Sequence, residues 1–252
     1  VKLNSSKIQL VRANQELLDA DLGYVRCSKF QQKTAQEVKQ ALAQLVKTNK
    51  KPLQGLVLDL RNNPGGVLEA AAASADLFIE EGMLVYTQGR LENSYLEFLA
   101  TSNPDLLAGA PLVVLINGGS ASAAEILAGA LQDHNRALIV GTSSFGKGSV
   151  QSLAPLPSGK GLKLTTAFYY TPKGRSIQAA GIEPDIFLPQ GELILAPSSN
   201  LTKEANLSRH LNNQKASKKA TASQQVSAKL AEDYQLQAAL NLLKGLVLQA
   251  NN

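Results

Sequence analysis

Two short runs in this chain are apolar almost without a break, GLVLDL at 55–60 and LVVLI at 112–116. Successive side chains of a strand point to opposite faces, so a run that is apolar at every position predicts a strand covered on both sides. That is the pattern of a central strand in a parallel sheet. GYVRCSKF at 23–30 alternates and predicts a further strand, as does ALIV at 137–140. Between these runs the apolar spacing turns helical. Residues 34–47 read as a helix with Thr34 as its N-cap and Glu37 three positions on, the arrangement of a capping box. Asn62-Asn63-Pro64-Gly65-Gly66 forces a turn, after which 67–79 reads as an alanine-rich helix and 123–131 as another. Strand and helix in alternation predict an α/β fold whose mixed, largely parallel central sheet is flanked by helices.

Beyond residue 147 the texture changes. VQSLAPL (150–156), GLKLTTAFYY (161–170) and DIFLP (185–189) are strand-like pieces separated by Pro and Gly. They are expected to extend the sheet in a mixed or antiparallel manner. Residues 197–228 are rich in Ser, Asn, Lys, Gln and Ala, a linker-like composition. Helical periodicity returns at 234–248 and predicts a terminal helix docked on the core. The chain thus divides into a leading segment at 1–20, which reads as the closing edge of something that began earlier, a core at 21–196, and a tail at 197–252. There are no internal repeats.

Composition narrows the function. With 252 residues, 44% of them hydrophobic, the chain can bury a substantial core. Its net charge of +5 comes from 25 basic and 20 acidic residues, and much of the excess lies between 203 and 219. A solvated tail accounts for it, and no nucleic-acid-binding motif accompanies it. The single cysteine, Cys27, excludes an internal disulfide framework and a multi-cysteine metal site. Its place in an alternating strand marks it as a small buried side chain rather than a nucleophile. No run reaches the ~18 apolar residues of a membrane span. No signal peptide opens the chain, which starts at Val1.

The chemistry concentrates in LIVGTSSFGKGSVQ, 138–151. Gly141 with Gly146-Lys147 has the spacing of a phosphate-binding loop, but such a loop needs Ser or Thr after the lysine and a helix to follow. Here Gly148 and a proline-broken strand follow instead. Ser144-Phe145-Gly146-Lys147 has S-x-x-K spacing, yet glycines on both sides of the lysine oppose the helix that this motif requires, and its partner tripeptides are absent. A third reading makes Lys147 the base for a serine elsewhere. An amine that ordinarily titrates near ~10.4 must lose its charge to serve as a base, so this reading expects Lys147 to be desolvated beside the buried strand and Phe145. The serine belongs to NGGSASAAEILAGALQD, 117–133, where a strand ends in a glycine-rich turn and a helix begins. A hydroxyl at such a junction is exposed, and the free N–H groups of the helix start can hold an oxyanion. Histidine chemistry finds little support, since His134 and His210 both lie among polar neighbours without a persuasive partner.

Three blocks carry a resemblance. GLVLDLRNNPGG, then GGSASAAEILAGALQDHNRALIVGTSSFGKGSVQ, then GRSIQAAGIEPDI stand in an order similar to that of the carboxyl-terminal processing proteases, also called tail-specific proteases. DYQLQAALNLLKGL, 233–246, also resembles the family's ending. The resemblance implies a ClpP/crotonase-like protease core. It places the nucleophile on Ser122, the general base on Lys147, an orienting amide on Gln151, and an oxyanion hole on the backbone N–H groups of Gly66 and Ala123. Extended-chain parity would let residues 147 and 151 share a face. Ser120 stands as the alternative nucleophile, and Ala124 occupies a position where many relatives carry another serine. Asp59 and Arg61 read as a structural ion pair, and Glu125 as a capping or buried hydrogen-bonding group.

The resemblance further implies a serine endopeptidase that cuts proteins near their C-termini through an acyl-enzyme, without metal or organic cofactor. Its partners would be protein or peptide substrates with accessible C-termini and a regulatory or adaptor protein, with no nucleic acid and no stable membrane insertion. Its compartment would be the periplasm or another part of the cell envelope. The family usually carries a substrate-binding PDZ domain ahead of the strand at 23–30, and its ~80 to 100 residues are not in this sequence. The chain is therefore expected to be weakly active or unregulated towards tailed substrates. The alternative from another class is a catalytically silent fragment that binds peptide or protein.

Overall fold

The two uninterrupted apolar runs lie side by side at the centre of a six-stranded sheet. In the computed structural model, which describes residues 13–19, 21–90, 94–157, 159–191 and 233–250, they are β3 (Gly55–Asp59) and β6 (Leu112–Ile116). β2 (Leu22–Cys27) pairs parallel with β3, β3 with β6, β6 with β7 (Leu138–Gly141), and β7 with the two-residue β10 (Ile186–Phe187). The edge strand β1 (Ala13–Asp19) runs antiparallel to β2, so the order is β1-β2-β3-β6-β7-β10.

Side-chain alternation explains why the central strands are apolar throughout. Leu56 and Leu58 of β3, with Leu112, Val114 and Ile116 of β6, point into one core. Buried there too are residues of α1 (Thr34–Asn49), α2 (Leu68–Ala75) and α3 (Ala123–Asp133). Val57, Val113 and Leu115 point the other way, into a second core built with α4 (Tyr234–Ala250). Each such side chain, fully buried, contributes about 1.5–3 kcal/mol. Cys27 lies in the first core, and burial pushes its thiol up to about 12, which makes it unreactive at neutral pH.

Two expectations are corrected. Thr34 does not cap α1: Lys33 holds the N-cap position without a side-chain bond, and Thr34 sits in the first turn, its hydroxyl accepting from the Gln31 amide and donating to the Lys29 carbonyl. The later strands do not simply extend the main sheet. β8 (Ser149–Pro155) and β9 (Gly161–Tyr170) join β4 (Met83–Gly89) and β5 (Leu96–Leu99), which the sequence pattern did not reveal, in a separate antiparallel sheet of order β5-β4-β9-β8. Only β10 extends the parallel sheet. The linker-like stretch 197–228 and His210 lie outside the described residues. No described helix is long and apolar enough to cross a membrane.

α4 is tied to the sheet by a charged joint. Arg61, just beyond β3, is nearly buried and forks between two carboxylates. Nε and Nη2 donate to Asp59 at 3.0 and 2.8 Å, while Nη1 and Nη2 donate to Asp233 at 2.8 and 2.7 Å. The Tyr24 hydroxyl also donates to Asp59, at 2.8 Å, and burial followed by that charge pushes the phenol's pKa up. Asp59 and Arg61 are thus a structural pair, as expected, with Asp233 as an unforeseen third member. Burial raises the pKa of Asp233, but the Arg61 hydrogen bonds, the Leu236 amide and the charges of Arg61 and Arg26 together outweigh it and hold the carboxyl below its ordinary value.

A carboxyl whose pKa falls on folding contributes its stability above the unfolded value, about 3.9, and loses it as pH drops through the folded value. Asp233→Asn is therefore expected to cost about 2 kcal/mol near neutrality and to flatten the acid limb of stability below about pH 4. Thermal unfolding as a function of pH checks both; an unchanged acid limb would contradict the assignment.

Candidate active site

The turns that follow β3 and β6 lie beside each other at the carboxyl end of the parallel sheet, the usual place for a site in such folds. Asparagines and a serine lace them together. The Asn62 amide donates to Asn117 Oδ1 at 2.9 Å, and Asn117 Nδ2 donates back to Asn62 Oδ1 at 3.1 Å. The Ala121 amide donates to the Asn63 carbonyl at 2.9 Å, while Asn63 Nδ2 reaches the Cys27 carbonyl at 2.8 Å. Ser120 is fully buried; its hydroxyl donates to the Leu60 carbonyl at 2.8 Å and accepts from the Asn117 amide at 3.0 Å. A hydroxyl so engaged binds two turns together, which removes Ser120 as the alternative nucleophile.

Ser122 stands at the N-cap of α3 with φ 54° and ψ −113°. A side chain at such a backbone costs of order 1–3 kcal/mol and persists only where its surroundings hold it. Here the Ser122 amide donates to Glu125 Oε2 at 2.6 Å and the Ser122 carbonyl accepts from Ile126 at 3.0 Å. Gly65, at φ +91°, packs directly beneath. A β-carbon there would lie 2.5 Å from the Ala121 carbonyl oxygen and 2.9 Å from both the Ala123 nitrogen and the Ser122 β-carbon. Gly65→Ala must therefore displace the Ser122 turn, and displacement on that scale is expected to cost on the order of 10²-fold in turnover with little change in fold. Steady-state kinetics beside a melting curve test this, and an unimpaired kcat would contradict it.

Gly66 follows at φ +145°, where a β-carbon would fall 1.9 Å from the Phe30 carbonyl oxygen. Phe30 is held there by its amide on the Gly65 carbonyl at 2.9 Å and by the Val67 amide on its own carbonyl at 3.1 Å. Ala123 is the first residue of α3, where N–H groups have no partner within the helix. Among the described residues, neither the Gly66 nor the Ala123 amide donates to a protein acceptor.

Glu125 organises the remaining side of the site. Its carboxylate is fully buried and accepts four hydrogen bonds, two on each oxygen. Oε1 takes the Ser144 hydroxyl and the Gly146 amide, both at 2.6 Å. Oε2 takes the Ser122 amide at 2.6 Å and the Lys147 amide at 2.9 Å. One oxygen thus joins the backbones of the two residues singled out as nucleophile and base, 25 positions apart. The expectation of a capping or buried hydrogen-bonding role for Glu125 understated this; E at the third position of the helix signals a cap, and nothing local signals its partners at 144–147.

The side chains stand differently. Lys147 is exposed, not desolvated as expected: Gly146, at φ +86°, turns the chain, and the loop presents the Gly146 and Lys147 amides and the Ser144 hydroxyl inward to Glu125. Gln151 lies in β8, also exposed. Among the described residues no hydrogen bond joins the Ser122, Lys147 and Gln151 side chains. Ser144 is scaffolding: besides Glu125, its hydroxyl accepts from the Ile182 amide at 2.7 Å. His134 caps the far end of α3, about 18 Å of helix from Ser122, and its Nε2 donates to the Met83 carbonyl. No group of three or more His, Cys, Asp or Glu is placed to hold a metal among the described residues.

Fold and site together define an α/β protein that displays a serine on a strained strand-to-helix turn, with free amides beside it and a lysine loop tied to its backbone. Comparison places it further: residues 21–188 match peptidase family S41, and the chain belongs to that family. It is 44% identical over 245 residues to the carboxy-terminal-processing protease of Bartonella bacilliformis, an alignment covering 95% of this chain and 56% of that protein. With the carboxyl-terminal-processing protease of Synechocystis it shares 46% over 169 residues, 67% of this chain and 38% of the relative. Among solved structures it resembles the photosystem II D1 C-terminal processing protease at TM-score 0.64 and 35% identity, covering 73% of this chain and 50% of the other. The chain spans about half the length of the relatives it matches.

Proposed function

We propose that this chain is the catalytic core of a serine endopeptidase that cuts proteins near their C-termini, with Ser122 as nucleophile and Lys147 as base. The observation that carries the reading is the shared Glu125 oxygen, which ties both backbones at the strained turn beside the Gly66 and Ala123 amides. The neutral amine of Lys147 takes the Ser122 proton while Oγ attacks the scissile carbonyl carbon. The developing oxyanion accepts from the two amides. As the carbon–nitrogen bond breaks, Lys147 returns the proton to the departing amine, leaving an acyl-enzyme. Water then attacks with Lys147 again as base, and Ser122 leaves with its proton restored. Gln151 orients the amine.

The exposure of Lys147 gives substrate a part in this scheme. An extended peptide lying across the loop, paired with the open edge of β8, would cover the amine and exclude water from it. Such a mode gives affinity through main-chain bonds and loose side-chain preference. The ClpP/crotonase-like architecture, substrates with accessible C-termini, and an extracytoplasmic compartment follow from the same family reading. A silent binding fragment is the less favoured reading. Cleavage of an unstructured polypeptide separates the two: the chain should cut it and Ser122→Ala should not, and peptide binding without cleavage by either would leave only the silent fragment.

A further inference from the structure

Phe145 is the most exposed apolar side chain in the lysine loop, at 67% exposure, and it sits on a backbone with no freedom to tuck it away. Every amide from Ser144 to Gly148 is committed. Ser144 donates to the Ile182 carbonyl at 3.1 Å and Phe145 to the Ser120 carbonyl at 3.0 Å. Gly146 and Lys147 donate to Glu125, and Gly148 to Gln178 Oε1 at 3.1 Å. The Gly146 carbonyl in turn accepts from Ala179 at 2.9 Å. A β-carbon on Gly148 would lie 2.4 Å from the Gln178 nitrogen, so the loop is packed hard against 177–182.

Exposure alone would mean little, since single exposed apolar residues are common. Rigidity and place distinguish this one. Phe145 is two positions from Lys147 in sequence, and its amide is bonded to the carbonyl two positions before Ser122, so its backbone is tied to both segments that carry the proposed catalytic groups. An aromatic ring on a fixed backbone loses little conformational entropy when covered, which suits it to anchor an apolar partner.

We propose that the Phe145 ring is the contact for a substrate side chain next to the scissile bond, and that it selects apolar over charged side chains there. This deepens the catalytic reading above and rests on it. A hydrophobic contact of this kind discriminates by about ten-fold or somewhat more.

The test uses unstructured peptides varied among Ala, Val, Leu, Lys and Glu at the residue before the scissile bond, and a second series varied at the residue after it. The wild-type chain is expected to favour Leu and Val over Lys and Glu by about ten-fold in kcat/KM at one of the two positions. Phe145→Ala should bring that ratio close to one, and Phe145→Leu should keep most of it, with the melting temperature unchanged in both. A parallel arm measures peptide affinity in Ser122→Ala and in Ser122→Ala with Phe145→Ala, so that the contact is read even without turnover. An apolar preference in binding that disappears with Phe145 supports the contact even if catalysis were to fail. Ratios unaltered by Phe145→Ala at both positions, in cleavage and in binding, overturn it.

Discussion

Lys147→Ala is expected to lose peptide hydrolysis as completely as Ser122→Ala, each by about 10³-fold or more, and the double variant should be no worse than either single one. Groups that act as one unit show such non-additivity, because with the base gone the serine hydroxyl has no acceptor for its proton and with the serine gone the base has nothing to activate. The residual rate in all three should be similar, since the Gly66 and Ala123 amides remain. Lys147→Arg should be equally inactive, because a guanidinium does not give up its proton near neutrality. A Lys147→Ala enzyme that kept most of its kcat would remove lysine from the mechanism.

Glu125→Gln is expected to be nearly as damaging, through position instead of proton transfer. A carboxylate only accepts, and each of its oxygens here takes two donors. An amide replaces one acceptor with an N–H₂ group that faces two donors already in place. Two N–H or O–H groups would lose their partner in a fully buried setting, at on the order of 3 kcal/mol in stability. If the N–H₂ group falls on the Oε2 side, the Ser122 and Lys147 amides are the ones left without an acceptor, and the turn relaxes. The expected outcome is a fall in kcat of about 10²-fold or more with KM little changed, beside a lower melting temperature. Glu125→Asp, which retains an acceptor-only group but is one methylene short, should recover some stability and little activity. Stability loss without any fall in kcat of the folded fraction would mean that Glu125 supports the fold and not the catalytic geometry.

The central strands were legible because burial on both faces leaves no polar position, as in LVVLI, and that signal is local. β4 and β5 were not, because MLVYTQG owes its strand form to pairing with β9, more than 70 residues further on, and LEFL owes its own to pairing with β4. The position of Ser122 at the head of α3 could be read from the strand, the glycines and the helix that follow one another there. The burial of Lys147 was misjudged for a physical reason. Its apolar neighbours suggested an apolar pocket, but a left-handed Gly146 sends amides inward and the amine outward. The partners of Asp233 and of the asparagines at 62, 63 and 117 were not legible because they lie in other segments, and no spacing along the chain encodes those meetings.

The claim on which everything else depends is that Lys147 activates the hydroxyl of Ser122. Mass spectrometry of the chain treated with a fluorophosphonate, which forms a stable adduct with an activated serine, tests it without any knowledge of the natural substrate. A single adduct is expected, placed on Ser122 by fragmentation of the tryptic peptide 91–136 that carries both Ser120 and Ser122, and forming at least 10²-fold more slowly in Lys147→Ala. Adducts on Ser120 or Ser144, or labelling of Ser122 at an unchanged rate without Lys147, would contradict it.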